Sequence, residues 1–193
     1  IGVNRNFSEK MARKVLRKNY ELKAIDVTKD VYNEFKDYSN IDKMQAIDIN
    51  FWLMKDILLK ADRMTMASSI EGRVPFIDKE VFSVASKLPF DYKVTKENTK
   101  VALREAARKV IPTDAYKKKK LGFPVPIREW IKDGEFKEDI EKTINSDVAN
   151  KYFNVKFLNK LFNEHISGKK DNYRKIWTVY TFIKWYQVFF ENE

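Results

Sequence analysis

A chain of 193 residues with 44% hydrophobic and 14% aromatic residues has enough apolar material for one folded domain and too much for a disordered tail. It holds no cysteine and a single histidine, His165, which excludes disulfides, thiolate sites, a cysteine nucleophile and a histidine-rich metal centre, and suits a reducing cytoplasm. The formal charge of +10 points to nucleic acid or a membrane as partner, or to a site that handles polyphosphate, and charge alone does not choose.

The chain opens at Ile1 with neither an initiator Met nor a charged start leading into an apolar run, so it reads as an excised segment. Glycine and proline number five each and apolar residues recur at spacings of three and four, which predicts helix for most of the chain. Ser8 is placed to cap a first helix over about 9–18, with Met11, Val15 and Leu16 inward. A second segment carries Val31, Tyr32, Phe35 and Tyr38. Met44, Ile47, Phe51, Met54 and Leu58 then draw one stripe down a long helix starting near Asp42. The methionines Met44, Met54, Met64 and Met66 read as core packing.

Beyond Pro75, Asp78 offers a cap for a helix through Lys87, which Pro89 stops. Another helix is expected over about 98–110, with Val101, Leu103, Ala106 and Val110 inward and Pro112 just past its end. KKKKLGFPVP is loop, in which Gly122 is the residue free to take positive φ. Trp130, Phe136 and Ile140 suggest short helices, and Phe157, Leu158, Leu161 and Phe162 another. The final run IWTVYTFIKWYQVFF has 15 residues, short of the ~20 needed to span a bilayer. Its polar stripe of Thr178, Thr181, Lys184 and Gln187 marks a core helix, part of whose apolar surface is free to meet an upstream segment.

No glycine-rich phosphate loop, HExxH or serine elbow is present, so the chemistry falls to cations. Lys60, Asp62 and Arg63 sit where the long helix ends. Glu71 and Arg73 follow, and Lys100 and Arg104 are one turn apart on the next helix. Each has a plainer reading: Lys100 and Arg104 as solvated surface, Asp62 with Arg63 and Glu71 with Arg73 as local ion pairs, Lys117 to Lys120 as a solvated loop, and His165 as a packing residue.

Taken in order, KADRMTMASSIEGRVPFID, TKVALREA and KKKKLGFPVPIREWI resemble the asparagine synthetase family. Asp62, Arg63, Met66, Ala67, Ser69, Glu71, Arg73, Pro75, Phe76 and Asp78 fill the fixed positions of a pattern similar to D-R-x-x-M-A-x-S-x-E-x-R-x-P-F-x-D. Lys100, Leu103 and Arg104 match K-x-x-L-R, and Lys118, Lys119, Lys120, Gly122, Phe123 and Pro126 match KKKxGFxxP. The resemblance implies a mostly α chain, the helical C-terminal portion of an α/β pyrophosphatase-type ATPase, an adenine nucleotide α-hydrolase-like synthetase domain. It places a motif-bearing core over about 41–131 and C-terminal helices over about 134–191, with the SGGxDS phosphate loop and a glutaminase domain upstream.

The implied activity converts ATP and aspartate to β-aspartyl-AMP and pyrophosphate, with ammonia derived from glutamine then displacing AMP. ATP and Mg²⁺ are the implied cofactors, held mostly by the upstream segment, with no metal ligand in this chain. Lys100 takes the active-site lysine position, and Lys60 and Arg104 the substrate or pyrophosphate contacts. Asp62, Glu71 and Arg73 order the cleft wall, and Lys120 and Gly122 belong to the loop. Implied partners are the upstream synthetase and glutaminase segments. A homodimer is compatible, no membrane partner is expected, and a basic nucleic-acid-binding module is disfavoured because it leaves the ordered blocks unexplained. Relatives that amidate or cyclise another carboxylate, and a helical scaffold for protein contacts, are the other readings.

Overall fold

The computed structural model describes residues 6–18, 21, 23–119, 122 and 125–191. These are mostly helical, as expected. Among them the extended pairing consists of two isolated antiparallel bridges, Leu16 with Phe153 and Val94 with Thr99. The chain divides into two compact units, Ile1–Ile57 with Val125–Glu193, and Leu58–Pro124. Compactness thus parts the chain at different points from the motif boundaries near 41, 131 and 134.

In the first unit, Ser8 Oγ accepts from Met11 N at 3.3 Å and opens α1, Glu9–Val15. The helix stops short of residue 18 because Leu16 turns extended to pair with Phe153, with Arg17 N donating to Tyr152 O and Asn154 N to Val15 O. After a 3₁₀ turn at Ala24–Val27 come α2, Lys29–Glu34, and α3, Asn40–Ile47, whose cap is Ser39. The predicted single rod is interrupted there. Asp48–Leu58 is π-helix, bonded i to i+5, so a stripe stepping by three and four does not keep one face. Asn50 Nδ2 donates to Ala46 O at 2.9 Å, occupying the acceptor that an α-helix would give to the Asn50 amide. Met44 and Met54 are exposed, which corrects their reading as core.

The core lies among α9 (Ile127–Trp130), α10 (Gly134–Ile144), α11 (Asp147–Tyr152), α12 (Val155–Ile166) and α13 (Tyr173–Phe190). Asp133, Ser146 and Asn154 supply their side chains as caps for α10, α11 and α12. Ile140 and Ile144 on α10, Leu158, Leu161 and Phe162 on α12, and Ile176, Val179 and Ile183 on α13 are all buried, each at helical spacing. Burying each is worth about 1.5–3 kcal/mol. Gly168, at φ +71, closes α12 in the left-handed position that favours glycine.

His165 is 2% exposed with Nε2 at 3.0 Å from Arg128 O, so it is the packing residue expected. On α13, Lys184 Nζ reaches Asp139 Oδ1 at 2.7 Å and Tyr180 OH donates to Asp139 Oδ2 at 2.5 Å. Trp185, Val188, Phe189 and Phe190 at its far end stay exposed. No helix among the described residues is long and apolar enough to cross a membrane.

The second unit comprises α4 (Leu59–Met66), a 3₁₀ turn at Pro75–Ile77, α5 (Lys79–Ser86), α6 (Phe90–Lys93), α7 (Val101–Ala107) and α8 (Thr113–Lys117). Asp78 Oδ1 accepts from Glu80 N and caps α5 as predicted. α5 packs on the 3₁₀ turn, and α7 on α6 and α8. No described residue of this unit is buried. Leu103 and Val110, predicted inward, are exposed, Val110 by 80%, and Met64 and Met66 are exposed as well. The helical periodicity is real, but the unit supplies nothing of its own to cover the apolar faces.

Candidate functional site

The predicted site residues from Lys60 to Arg104 belong to the unit Leu58–Pro124. Lys60, Asp62 and Arg63 lie on α4 and are exposed. The helix ends with Ser69 N donating to Met66 O and Ile70 N to Thr65 O, the paired bonds of a Schellman closure. Ser69 sits at its left-handed position, φ +56, where glycine is the usual occupant. The loop then runs back beside α4, since a Cβ built on Gly72 would lie 3.7 Å from Thr65 Oγ1. There Glu71 and Arg73 form an ion pair at 2.9 Å, with both side chains largely exposed.

Lys100 is not within a helix, as the spacing implied, but at the N-cap of α7, in left-handed backbone at φ 59 and ψ 40. For a non-glycine residue this conformation costs roughly 1–2 kcal/mol and persists only where its surroundings impose it. Here they do. Val94 and Thr99 form an antiparallel bridge, Lys100 N donates to Lys93 O at 3.0 Å, and Thr95 N donates to Asn98 O at 2.8 Å. Thr95 Oγ1 accepts from Asn98 N at 3.0 Å and closes the turn. The Lys100 carbonyl then accepts from Arg104 N, so the cap residue starts the helix while its side chain stands at the helix mouth. The family pattern marks Ser69 without revealing its left-handed backbone, and Thr95 lies outside every motif. The T-x-x-N spacing of Thr95 and Asn98 is the signal for the turn that Thr95 closes.

Arg104 has a second part beyond the one expected. Its Nε donates to Thr99 O at 3.1 Å, while Nη1 reaches Tyr116 O and Lys118 O, and Nη2 reaches Lys118 O at 3.1 Å. Most of its donors therefore bond to backbone carbonyls, which gives it a bracing part beside the substrate contact expected of it. It ties the turn before α7 to the start of the lysine loop. Gly122 is exposed with open space around a Cβ, and Lys120 lies outside the described residues. Among the described residues no group of three or more His, Asp or Glu side chains could hold a metal ion. The unit therefore offers exposed cations at Lys60, Arg63 and Lys100, the last on a backbone held by its turn, and cations so exposed suit binding of phosphate or carboxylate groups.

The chain matches the family model described as asparagine synthase over residues 3–187. It is 45% identical to the glutamine-hydrolysing asparagine synthetase 1 of Bacillus subtilis (strain 168), over 97% of this chain and 30% of that protein. It is 41% identical to a putative glutamine-hydrolysing asparagine synthetase of Mycobacterium tuberculosis (strain ATCC 25618 / H37Rv), over 99% of this chain and 29% of that protein. No solved structure matches. The chain thus spans about a third or less of the length of the curated relatives it matches. With the family model covering nearly all of its residues, the chain belongs to the asparagine synthase family.

Proposed function

We propose that the chain forms the helical, cation-bearing part of a glutamine-dependent asparagine synthetase, a ligase that activates the β-carboxylate of aspartate with ATP and amidates it with ammonia from glutamine. The observation that carries this is the residue at the mouth of α7: Lys100, in the family's K-x-x-L-R position, is held in a costly left-handed conformation by the Lys93–Thr99 turn. Strain of this kind clusters where a side chain must be aimed.

Attack of a carboxylate on the α-phosphate builds negative charge on the departing pyrophosphate, and a fixed ammonium stabilises that charge more than it stabilises bound ATP. Lys100 performs that role. Lys60 assists at the substrate or pyrophosphate. Arg104 acts as a positioning residue, bracing the Lys100 turn and the loop at Lys118. Asp62 and the Glu71–Arg73 pair order the wall behind these cations. Among the described residues the carboxylates do not gather into a cage fit for Mg²⁺, and in this reading the ion that accompanies ATP is held by phosphate oxygens and by the upstream segments. The synthetase and glutaminase segments of the same polypeptide complete the site, and the cytoplasm is its compartment.

The test uses the full-length protein with ATP, aspartate and glutamine, reading pyrophosphate release and asparagine formation. Lys100→Ala is expected to lower asparagine formation by about 10²–10³-fold, the usual loss when one preorganised charge-stabilising donor is removed, while glutamine hydrolysis measured alone persists. Activity within about twofold of wild type would remove Lys100 from the chemistry. Replacing aspartate with other carboxylic acids checks the acceptor, and a faster rate with a different acid would reassign the substrate.

A further inference from the structure

The first unit carries a cationic cavity whose lining shares no residue with the cations assigned above to the proposed synthetase chemistry. It encloses about 230 Å³ and is lined by Asn6, Arg128, Asp171, Tyr173, Arg174 and Lys175, drawn from the N-terminal segment, α9, the α12–α13 loop and the first turn of α13. Three cations face one carboxylate there. Arg128 is anchored by Asp171 at 2.8 Å, and its carbonyl lies 3.0 Å from Nε2 of the buried His165. The guanidiniums of Arg128 and Arg174 both lie near the Tyr173 ring, at 5.1 Å and 5.6 Å from its centroid. Arg174 Nε also donates to Tyr173 OH at 2.9 Å. Asn6 is held by its bond to Thr178 Oγ1.

Among the described residues, the ion pair that reaches into this cavity joins Asp171 to Arg128, and Asp171 Oδ1 lies 3.8 Å from His165 Nδ1. Arg174 donates to a hydroxyl, with the Asp171 charge nearby, and Lys175 donates to an amide oxygen. Each guanidinium has N–H donors beyond those these bonds employ, oriented by a ring and a carboxylate that restrict its rotamers. Two guanidinium forks and an ammonium around a small cavity make a receptor for a compact multivalent oxyanion, since a tetrahedral phosphate can accept from several of them at once. Asp171, the one acid present, can accept from a donor carried by the same ligand.

We propose that this cavity binds a small phosphate-bearing anion, with Arg174 and Lys175 as its principal contacts and Arg128, braced by Asp171 and His165, as the fixed wall. Such a ligand arises either as inorganic phosphate or as a hydroxylated phosphate monoester. Isothermal titration of the full-length protein with inorganic phosphate and, separately, with glycerol 3-phosphate distinguishes them. Saturable binding of phosphate as tight as that of the ester assigns the free ion, and an ester bound about tenfold tighter assigns the monoester.

In either case the Arg174→Gln/Lys175→Gln double variant is expected to weaken binding about tenfold or more, through loss of charge-assisted hydrogen bonds, with the unliganded melting temperature unchanged. Lys100→Ala is expected to leave the same titration intact, which separates this cavity from the cations of the second unit. If the double variant does not fold, Lys175→Gln alone is informative, because its ammonium meets Asn172 Oδ1 at a long 3.4 Å; it should weaken binding roughly threefold or more. Absence of saturable binding by either probe, binding indifferent to the Arg174 and Lys175 changes, or binding abolished by Lys100→Ala would overturn the assignment.

Discussion

Lys100 combines two properties that substitutions can separate, a cation and a left-handed backbone. Glycine adopts that backbone without the Cβ penalty, so Lys100→Gly should fold as well as wild type or up to about 1 kcal/mol better. Lys100→Ala keeps the penalty and loses the charge. Both variants are expected to be equally poor in asparagine formation, and chemical denaturation alongside the activity assay checks the pair. Recovery of activity in Lys100→Gly would mean that only the backbone mattered. Asp139 supports a separate prediction in the core unit. Partial desolvation pushes its carboxyl up, but hydrogen bonds from Lys184 and Tyr180, with the nearby Lys184 charge, outweigh this and hold it below its ordinary value. A carboxyl depressed in the folded state contributes stability that is present above the unfolded value of about 3.9 and is lost as pH falls through the folded value. Asp139→Asn should therefore cost about 1 kcal/mol at pH 7, a modest figure because the pair is partly solvated. The gap from wild type should close as the pH is lowered below about 4. Melting curves across that range read it directly.

At the scale of the element, caps were the most legible feature, because a cap is a local bond between residues a few positions apart. Ser8 and Asp78 hold their helices as their sequence positions implied. The π-helix at Asp48–Leu58 and the extended turn at Leu16 were not legible. One rests on how a backbone ladder shifts register, the other on pairing with Phe153, far along the chain, and neither leaves a short-range signal. The bracing bonds of Arg104 were hidden for a related reason. Its i, i+4 spacing from Lys100 suggested a shared face, but nothing in the spacing revealed the carbonyls of Tyr116 and Lys118 waiting for its guanidinium. The end of α4 gives this scale its prediction. Ser69 occupies the left-handed position of a Schellman closure, so Ser69→Gly should stabilise by about 0.5–1 kcal/mol and Ser69→Val should destabilise, since a β-branched residue tolerates positive φ worst. Equal melting temperatures for the three proteins would show that the closure carries no strain.

Across the whole molecule, apolar periodicity matched burial from Ile131 to Ile183 and missed it at Met44 and Met54 and throughout Leu58–Pro124. From Ile131 to Ile183 the residues that repeat at three and four are the core. Between Leu58 and Pro124 the same pattern at Leu103 and Val110 faces outward. Periodicity reports which face of a helix is apolar, and not whether the chain itself supplies a cover. Hydrogen exchange separates the two cases, because protection follows the free energy of local opening and that energy comes largely from buried apolar contacts. In the 193-residue chain alone, amides of α10, α12 and α13 should exchange slowest. Those of α4 to α8 should exchange faster by several orders of magnitude, each factor of ten standing for about 1.4 kcal/mol less resistance to opening. In the full-length protein, where the proposed synthetase segments are present to cover Phe76, Phe82 and Val110, the exchange of α5 and α7 should slow markedly while that of α12 stays as it was. Equal protection of both units in the isolated chain would mean that Leu58–Pro124 is stabilised without burial, and the exposed apolar faces would then need another explanation.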